Sequence, residues 1–257
     1  MVNSPLVNID HLTVLSDHDS IKILNNLSLD IFENETLGLV GLSGCGKSTL
    51  AKSIVGLKGL HSGHIRFKSR PLFEKNKEFN SSFRKEIQLV FQDPTACLNP
   101  RMSVLSTLLE PLQIHEKQLS KAEKIIKACE MLEQVGLNSQ FLSRYPHELS
   151  GGQKQRVCIA RSLILKPKFL IFDEAVSALD ASIQAQILNL LKSLKKDFGF
   201  TLLFISHDLS IVHYISDRIA VMSEGQIVEI NPPETIFSQA QDPFTKRLIE
   251  LSRKYLS

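Results

Sequence analysis

The chain has 257 residues, 43% of them apolar, enough to bury a sizeable core in one large domain or two small ones. Thirty basic residues against 27 acidic ones leave a formal net charge of +3 without long single-sign blocks, so the charge demands neither nucleic acid nor an anionic membrane. No apolar run approaches the roughly 18 to 20 residues that span a bilayer, and the opening MVNSPLVNID lacks the basic and apolar regions of a secretory leader; a soluble chain that stays where it is made is expected.

In chain order, alternating or apolar runs at Leu6 to Leu15, Ile21 to Phe32 and Ile65 to Phe67, separated by polar turns and lacking intervening helices, predict an antiparallel strand group. Between the second and third lies the apolar segment Thr36 to Val40, followed directly by Gly41-Leu42-Ser43-Gly44-Cys45-Gly46-Lys47-Ser48-Thr49, which fits G-x-x-x-x-G-K-[ST]. A strand feeding a glycine-rich turn that opens a helix is a phosphate-binding loop. Its glycines let successive N–H groups turn inward around a polyphosphate, and the helix beginning near Lys47 adds free amides and its positive dipole end. Lys47 supplies a mobile charge to the terminal phosphates, and the Ser48 hydroxyl is a ligand type suited to Mg²⁺.

The polar stretch Lys68 to Lys85 predicts a surface loop, and the run Ile87 to Phe91 ends at Gln92, whose neutral amide can meet both a metal and an attacking water. From Ser103 to Arg144 the spacing turns helical, with Ile125, Cys129 and Leu132 at i, i+4 and i+7. Leu149-Ser150-Gly151-Gly152-Gln153 precedes a helical segment from Lys154 to Leu165 and offers a second anion-binding helix start; on chemistry alone it is equally an ordinary capped helix with Ser150 or Gly151 at the cap. The buried run Phe169 to Phe172 ends in Asp173-Glu174, two carboxylates at the carboxyl end of a strand. Asp173 can hold Mg²⁺ through water while Glu174 polarises the attacking water. A helix follows through Leu194, then a second buried run, Leu202 to Ile205, ending at Ser206-His207-Asp208, where an imidazole can reach a γ-phosphate oxygen. Strand and helix in alternation predict parallel βαβ units. Asp217 to Ile230 reads as a hairpin turning at Glu224-Gly225, and Pro243 opens a last amphipathic helix. The four cysteines (Cys45, Cys97, Cys129, Cys158) form no C-x-x-C pair, which argues against zinc, an iron–sulfur cluster or a disulfide framework and suits a reducing cytoplasm.

Taken together, GLSGCGKST, FQDP, LSGGQ, FLIFDE, SALD and SHD occur in the order found in ATP-binding cassette (ABC) proteins, and the chain resembles that family over almost its whole length. The resemblance implies an α/β P-loop NTPase of the ABC type, a mainly parallel sheet core with an antiparallel β subdomain and a helical insert. It implies one nucleotide-binding domain over 1–257: residues 1–92 and 166–235 as catalytic core with β subdomain, about 93–165 as helical subdomain, and 236–257 as C-terminal helix. ATP and Mg²⁺ are the implied cofactors. By resemblance, Gly41, Ser43, Gly44, Cys45, Gly46, Lys47, Ser48 and Thr49 belong to the Walker A loop, Gln92 is the Q-loop glutamine, and Asp173 and Glu174 form the Walker B pair. Ser150, Gly151, Gly152 and Gln153 are then the signature, Asp180 closes the D-loop that starts at Ser177, and His207 is the switch histidine. Ser48, Gln92 and Asp173 are the implied metal ligands. In that family two such domains pair head to tail, the signature of one closing on the ATP held by the other.

Finer stretches, FQDPTACLNPRM (Phe91 to Met102), AVSALDASIQAQILNLL (Ala175 to Leu191) and DPFTKRL (Asp242 to Leu248), resemble the oligopeptide, dipeptide and nickel import subfamily, specifically its second ATPase subunit. This implies a subunit that energises import of peptides or nickel and metal chelates, working opposite a related ATPase subunit in a heterodimer. The implied partners are transmembrane permease subunits, touched by the segments after Gln92, and indirectly an extracytoplasmic solute-binding protein, with no nucleic acid. The implied location is peripheral, on the cytoplasmic face of the cell membrane. Two other readings stay open: an importer of another small solute, and an ABC ATPase of repair or translation uncoupled from transport. The latter shares every catalytic motif but generally carries coiled coils, zinc modules or two cassettes, none of which is visible. A regulatory subunit would be expected to lose the base or the lysine, yet Lys47, Glu174 and His207 are all present. Two departures stand out. Ala175 replaces the proline of most relatives, and no Tyr or Phe lies between Asp10 and Lys22 to stack adenine, leaving His11 or His18 as weaker platforms.

Overall fold

Alternation shapes the first strands. A computed structural model describes residues 4–16, 21–74 and 78–254, apart from the side chains of 253 and 254, and the chain forms two compact units, Met1–Arg84 with Thr201–Ser257, and Lys85–Phe200. In the first unit β1 (Val7–Leu15) buries Val7, Ile9, Leu12 and Val14, and pairs antiparallel with β2 (Lys22–Ile31), Val7 opposite Ile31. The period of two breaks between Ile9 and Leu12, where His11 takes φ 47 and the register shifts. This bulge returns Leu12 and Val14 to the core face that Val7 and Ile9 began. All five residues of β3 (Thr36–Val40) are buried, and α1 (Lys47–Ile54) follows. β4 (Ser62–Phe67) pairs antiparallel with β1 and with the short β5 (Arg70–Pro71), giving the order β2-β1-β4-β5.

The stretch expected as a surface loop after Lys68 is more structured than its polarity suggests. Lys68 and Ser69, both at positive φ, form the tight turn from β4 to β5, Phe73 bridges Phe79, and residues Ser81–Lys85 form a 3₁₀ turn. Leu72 and Phe83 are fully buried, with Phe83 edge-on to Phe67 at 5.7 Å between ring centroids. Two apolar anchors outweigh the polar residues around them, because one fully buried aromatic side chain contributes about 1.5–3 kcal/mol.

In the second unit β6 (Ile87–Val90) leads through α2 (Pro94–Cys97) to α3 (Val104–His115), α4 (Lys121–Gln134) and α5 (Gly151–Leu163). β7 (Phe169–Asp173) runs parallel to β6, with Ile87 opposite Phe169 and Val90 opposite Phe172, and α6 (Ala181–Phe198) follows. Helices α3, α4 and α5 pack on one another, α5 also on β6 and α2. The helix-rich stretch expected at about 93–165 falls wholly inside this unit. Ser103 and Ser120 cap α3 and α4, the latter in a reciprocal box with Glu123. The buried stripe of α4 runs through Ala128, Met131 and Leu132 and continues into Val135 just past the helix end, while Ile125 and Cys129 are only half-buried. The expected Ile125–Cys129–Leu132 face is thus corrected at two of its three positions: the small Ala128 is its centre, where a short side chain lets a neighbour come close.

The first unit resumes with β8 (Thr201–Ile205), α7 (Leu209–Ile215), β9 (Arg218–Ser223), β10 (Gln226–Asn231), α8 (Pro233–Gln239) and α9 (Pro243–Lys254). β3 lies between β8 and β9 and is parallel to both, Gly38 facing Phe204 and Ile219. The β9–β10 hairpin turns at Glu224 and Gly225, whose φ values of 47 and 76 make the two-residue turn that matches strand twist. The class is α/β, with parallel strands alternating with helices beside an antiparallel sheet. Among the described residues no helix is long and apolar enough to cross a membrane.

Candidate active site

In the first unit β3 delivers the chain into the glycine loop against the backbone of β9. A Cβ on Gly41 would stand 2.2 Å from the Met222 carbonyl oxygen, so the loop can begin there only with glycine. Gly46, at φ 111, occupies the N-cap of α1, which has no side-chain cap. The amides opening α1 are therefore not spoken for by a capping side chain, which is what an anion site at a helix start requires. Lys47 is 4% exposed, and its Nζ donates to the carbonyl oxygens of Gly41 (2.9 Å) and Leu42 (3.0 Å). The ammonium thus folds back on the loop that it serves, held by neutral oxygens that phosphate oxygens can replace at a gain in charge complementarity. Beside it, burial pushes the Cys45 thiol up, against the pull of the Lys47 charge. His207 follows β8, the strand paired with β3, and is exposed. Its neighbours hold the turn: Asp208 N donates to Ser206 Oγ at 3.0 Å, and Asp208 Oδ1 accepts from the amides of Ser210 and Ile211 to start α7. The loop and His207 therefore share the carboxyl edge of adjacent parallel strands, where such sheets bind ligands.

In the second unit Asp173 is the last residue of β7 and is 4% exposed. Glu174 adopts φ 47, a conformation that costs a non-glycine residue about 1–3 kcal/mol and that must be held by its surroundings. Its carbonyl oxygen accepts from Ser177 N (3.1 Å) and Ser177 Oγ (2.8 Å), and its Oε2 accepts from Gln92 Nε2 at 3.3 Å. Gln184 Nε2 donates to Val176 O at 2.9 Å, and Ala175 and Val176 are buried. Side-chain donors from Ser177 and Gln184 brace the segment that contains Ala175. Neither the strain at Glu174 nor the brace from Ser177 could be read from sequence, since both depend on backbone angles.

Ser150 is the N-cap of α5 in a reciprocal box: Gln153 N donates to Ser150 Oγ (3.3 Å) and Ser150 N to Gln153 Oε1 (2.9 Å). Of the two candidate caps the structure selects Ser150, and the helix begins at Gly151, before the expected Lys154. The two glycines differ: a Cβ on Gly152 would stand 2.7 Å from Ile183 Cγ2, whereas one on Gly151 would meet only Leu179 Cδ2 at 3.4 Å. Gly152 is there to let α6 approach, and Gly151 keeps an open side. Asp180 caps α6, its Oδ1 accepting from Ile183 N at 3.0 Å. At the expected adenine position His11 Nδ1 lies 3.0 Å from Asn26 Oδ1 and its Nε2 3.6 Å from Asp10 Oδ1, while His18 lies outside the described residues.

The sequence model of the family described as ABC transporter matches residues 24–177. An oligopeptide transport ATP-binding protein (OppF) of Bacillus subtilis is 47% identical over 247 residues, covering 95% of this chain and 81% of the relative. Among solved structures, cbiO1 of Clostridium perfringens, part of the ABC transporter complex cbiONQ, superposes with a TM-score of 0.81 at 27% identity, over 98% of this chain and 97% of that one. An ATP-binding cassette solved as a dimer in a post-hydrolysis state with ADP and Pi superposes with a TM-score of 0.77 at 28% identity, over 88% of this chain and 98% of that one.

Proposed function

Because the chain belongs to the ABC transporter family, we propose that it is the ATP-hydrolysing subunit that powers peptide import through a membrane permease. The chain is an ATPase of the α/β P-loop class. One observation carries the transport reading: 47% identity over 95% of the chain to an oligopeptide transport ATP-binding protein, with Lys47, Glu174 and His207 all in place. That relative's role favours peptides over nickel chelates as the cargo.

In this reading Gly41, Ser43, Gly44, Cys45, Gly46 and Thr49 wrap the ATP phosphates with backbone amides, and Lys47 exchanges its two carbonyl partners for phosphate oxygens. Glu174 accepts the proton of the attacking water, Gln92 orients that water and His207 donates to a γ-phosphate oxygen. The oxygen donors Ser48, Gln92 and Asp173 suit the hard cation Mg²⁺ and would hold it, and when bound it neutralises phosphate charge. Ser150, Gly151, Gly152 and Gln153, with Asp180, serve the nucleotide of a partner ATPase in a head-to-tail heterodimer, since a helix start supplies amides to an anion. The chain then sits at the cytoplasmic face of the membrane against permease subunits, and a solute-binding protein outside delivers the cargo.

The reading is tested in membranes carrying the assembled importer. Peptide should stimulate ATP turnover, and Glu174→Gln should abolish peptide uptake. Turnover indifferent to peptide but driven by a nickel chelate would reject the cargo, and uptake that survives Glu174→Gln would reject this chain as its motor.

A further inference from the structure

Gln155, in the second turn of α5, has no exposed surface, and neither end of its amide finds a hydrogen-bond partner among the described residues. A buried amide unsatisfied at both ends is costly, and a leucine of similar size would avoid the cost. Its place in the fold says what it can reach. Cys158, three residues on and therefore on the same face of α5, has its Sγ 3.9 Å from the Pro94 carbonyl oxygen. The same helix packs on β6 and α2, the elements on either side of Phe91–Asp93. Helical side chains lean toward the helix N-terminus, so Gln155, one turn before Cys158, covers the turn that contains Gly151 and Gly152. The face of α5 that Gln155 shares with Cys158 is thus the one turned to the chain at Pro94, two residues after Gln92. A carboxamide both donates and accepts, so it can bridge an amide and a carbonyl of an extended main chain at once.

We propose that Gln155 is a positioning residue for Gln92: its carboxamide takes up the main chain of Phe91–Asp93 when the start of α5 engages nucleotide, and so draws the Gln92 amide from its resting bond to Glu174 onto the attacking water. The proposal rests on the reading of Gln92 as part of the hydrolytic machinery. It makes the orphaned amide the resting half of a contact that the working state completes, and it ties the helix start at Ser150 to the group that orients the water.

The test compares Gln155→Leu, Gln92→Ala and the double variant in the assembled transporter, with Gln155→Met beside Gln155→Leu should the branched side chain not fold. Removing the orphaned amide should leave the Tm unchanged or raised and ATP affinity unchanged, while kcat falls about tenfold. Because Gln155 acts through Gln92, adding Gln155→Leu to Gln92→Ala should cost nothing further. Unchanged kcat in Gln155→Leu, a lowered Tm with normal kcat per folded protein, or the same tenfold loss repeated in the Gln92→Ala background would each overturn the proposal. The Gln92→Ala single variant separates the two levels: normal turnover there would overturn the role of Gln92 itself, and this inference with it.

Discussion

Gln92 Nε2 donates to Glu174 Oε2 at 3.3 Å, joining residues 82 positions apart. The register of the two parallel strands explains the meeting: Val90 of β6 pairs with Phe172 of β7, and each side chain stands two residues beyond its strand's member of that pair. The left-handed turn at Glu174, braced by Ser177, then aims the carboxylate at the amide. A neutral donor holds the carboxylate in place without adding charge beside it.

Glu174→Gln should bind ATP as the wild type does and nearly lose turnover, because the amide keeps the shape but accepts no proton. General-base contributions of about 10² to 10⁴-fold set the expected loss in kcat. Retention of more than half the wild-type rate in the reconstituted transporter would remove Glu174 from this role.

Lys47→Ala should weaken nucleotide binding itself. The buried ammonium makes charge-assisted bonds worth about 1.5–3 kcal/mol each, or roughly 10- to 100-fold in affinity. Calorimetry of Mg-ATP binding measures this directly, and an unchanged Kd would contradict the phosphate-loop assignment.

Two substitutions at Ser150 separate its two jobs. Ser150→Ala removes the cap of α5 and should cost about 1 kcal/mol, a fall in Tm of about 2–4 °C for a chain of this size. Ser150→Arg, paired with a wild-type partner subunit, should damage the ATP site whose phosphate loop belongs to the partner and spare the site at Lys47. Site-resolved nucleotide trapping that showed the reverse pattern would exclude the head-to-tail arrangement.

Glu229 fastens the start of α9 to β10: Oε1 accepts from Gln241 N and Asn231 Nδ2 and Oε2 from Asp242 N, all at 3.1 Å. Burial pushes its carboxyl up, but the donors, led by the Gln241 amide, outweigh it and hold the pKa below the ordinary 4.5. A lowered folded-state pKa means that the contribution is present above about 4.5 and is lost as pH falls below that through the folded value. Glu229→Gln should therefore lower the Tm at neutral pH by about 2–4 °C per kcal/mol lost, and the gap to wild type should close on acidification below the carboxylate range. A gap that stays constant from neutral pH into that range would show that the charge on Glu229 contributes nothing.

The sequence by itself determined the features whose causes lie within a few neighbouring residues. The glycine-rich loop before α1, the acid pair ending β7, the hairpin at Glu224-Gly225 and the start of α9 at Pro243 all follow from local backbone preference and short-range spacing. Tertiary structure alone decided whatever depends on partners far along the chain. Strand register brought Gln92 to Glu174, a bulge at His11 turned Leu12 and Val14 inward, and Leu72 and Phe83 drew a polar stretch onto the core. Ala128 became the centre of a buried stripe, and Ser150 was chosen over Gly151 as the cap. The reason is that register, burial and hydrogen-bond completion are settled between segments, by free energies that no single segment carries, so a residue such as Gln155 shows its unsatisfied amide only when everything around it is in place.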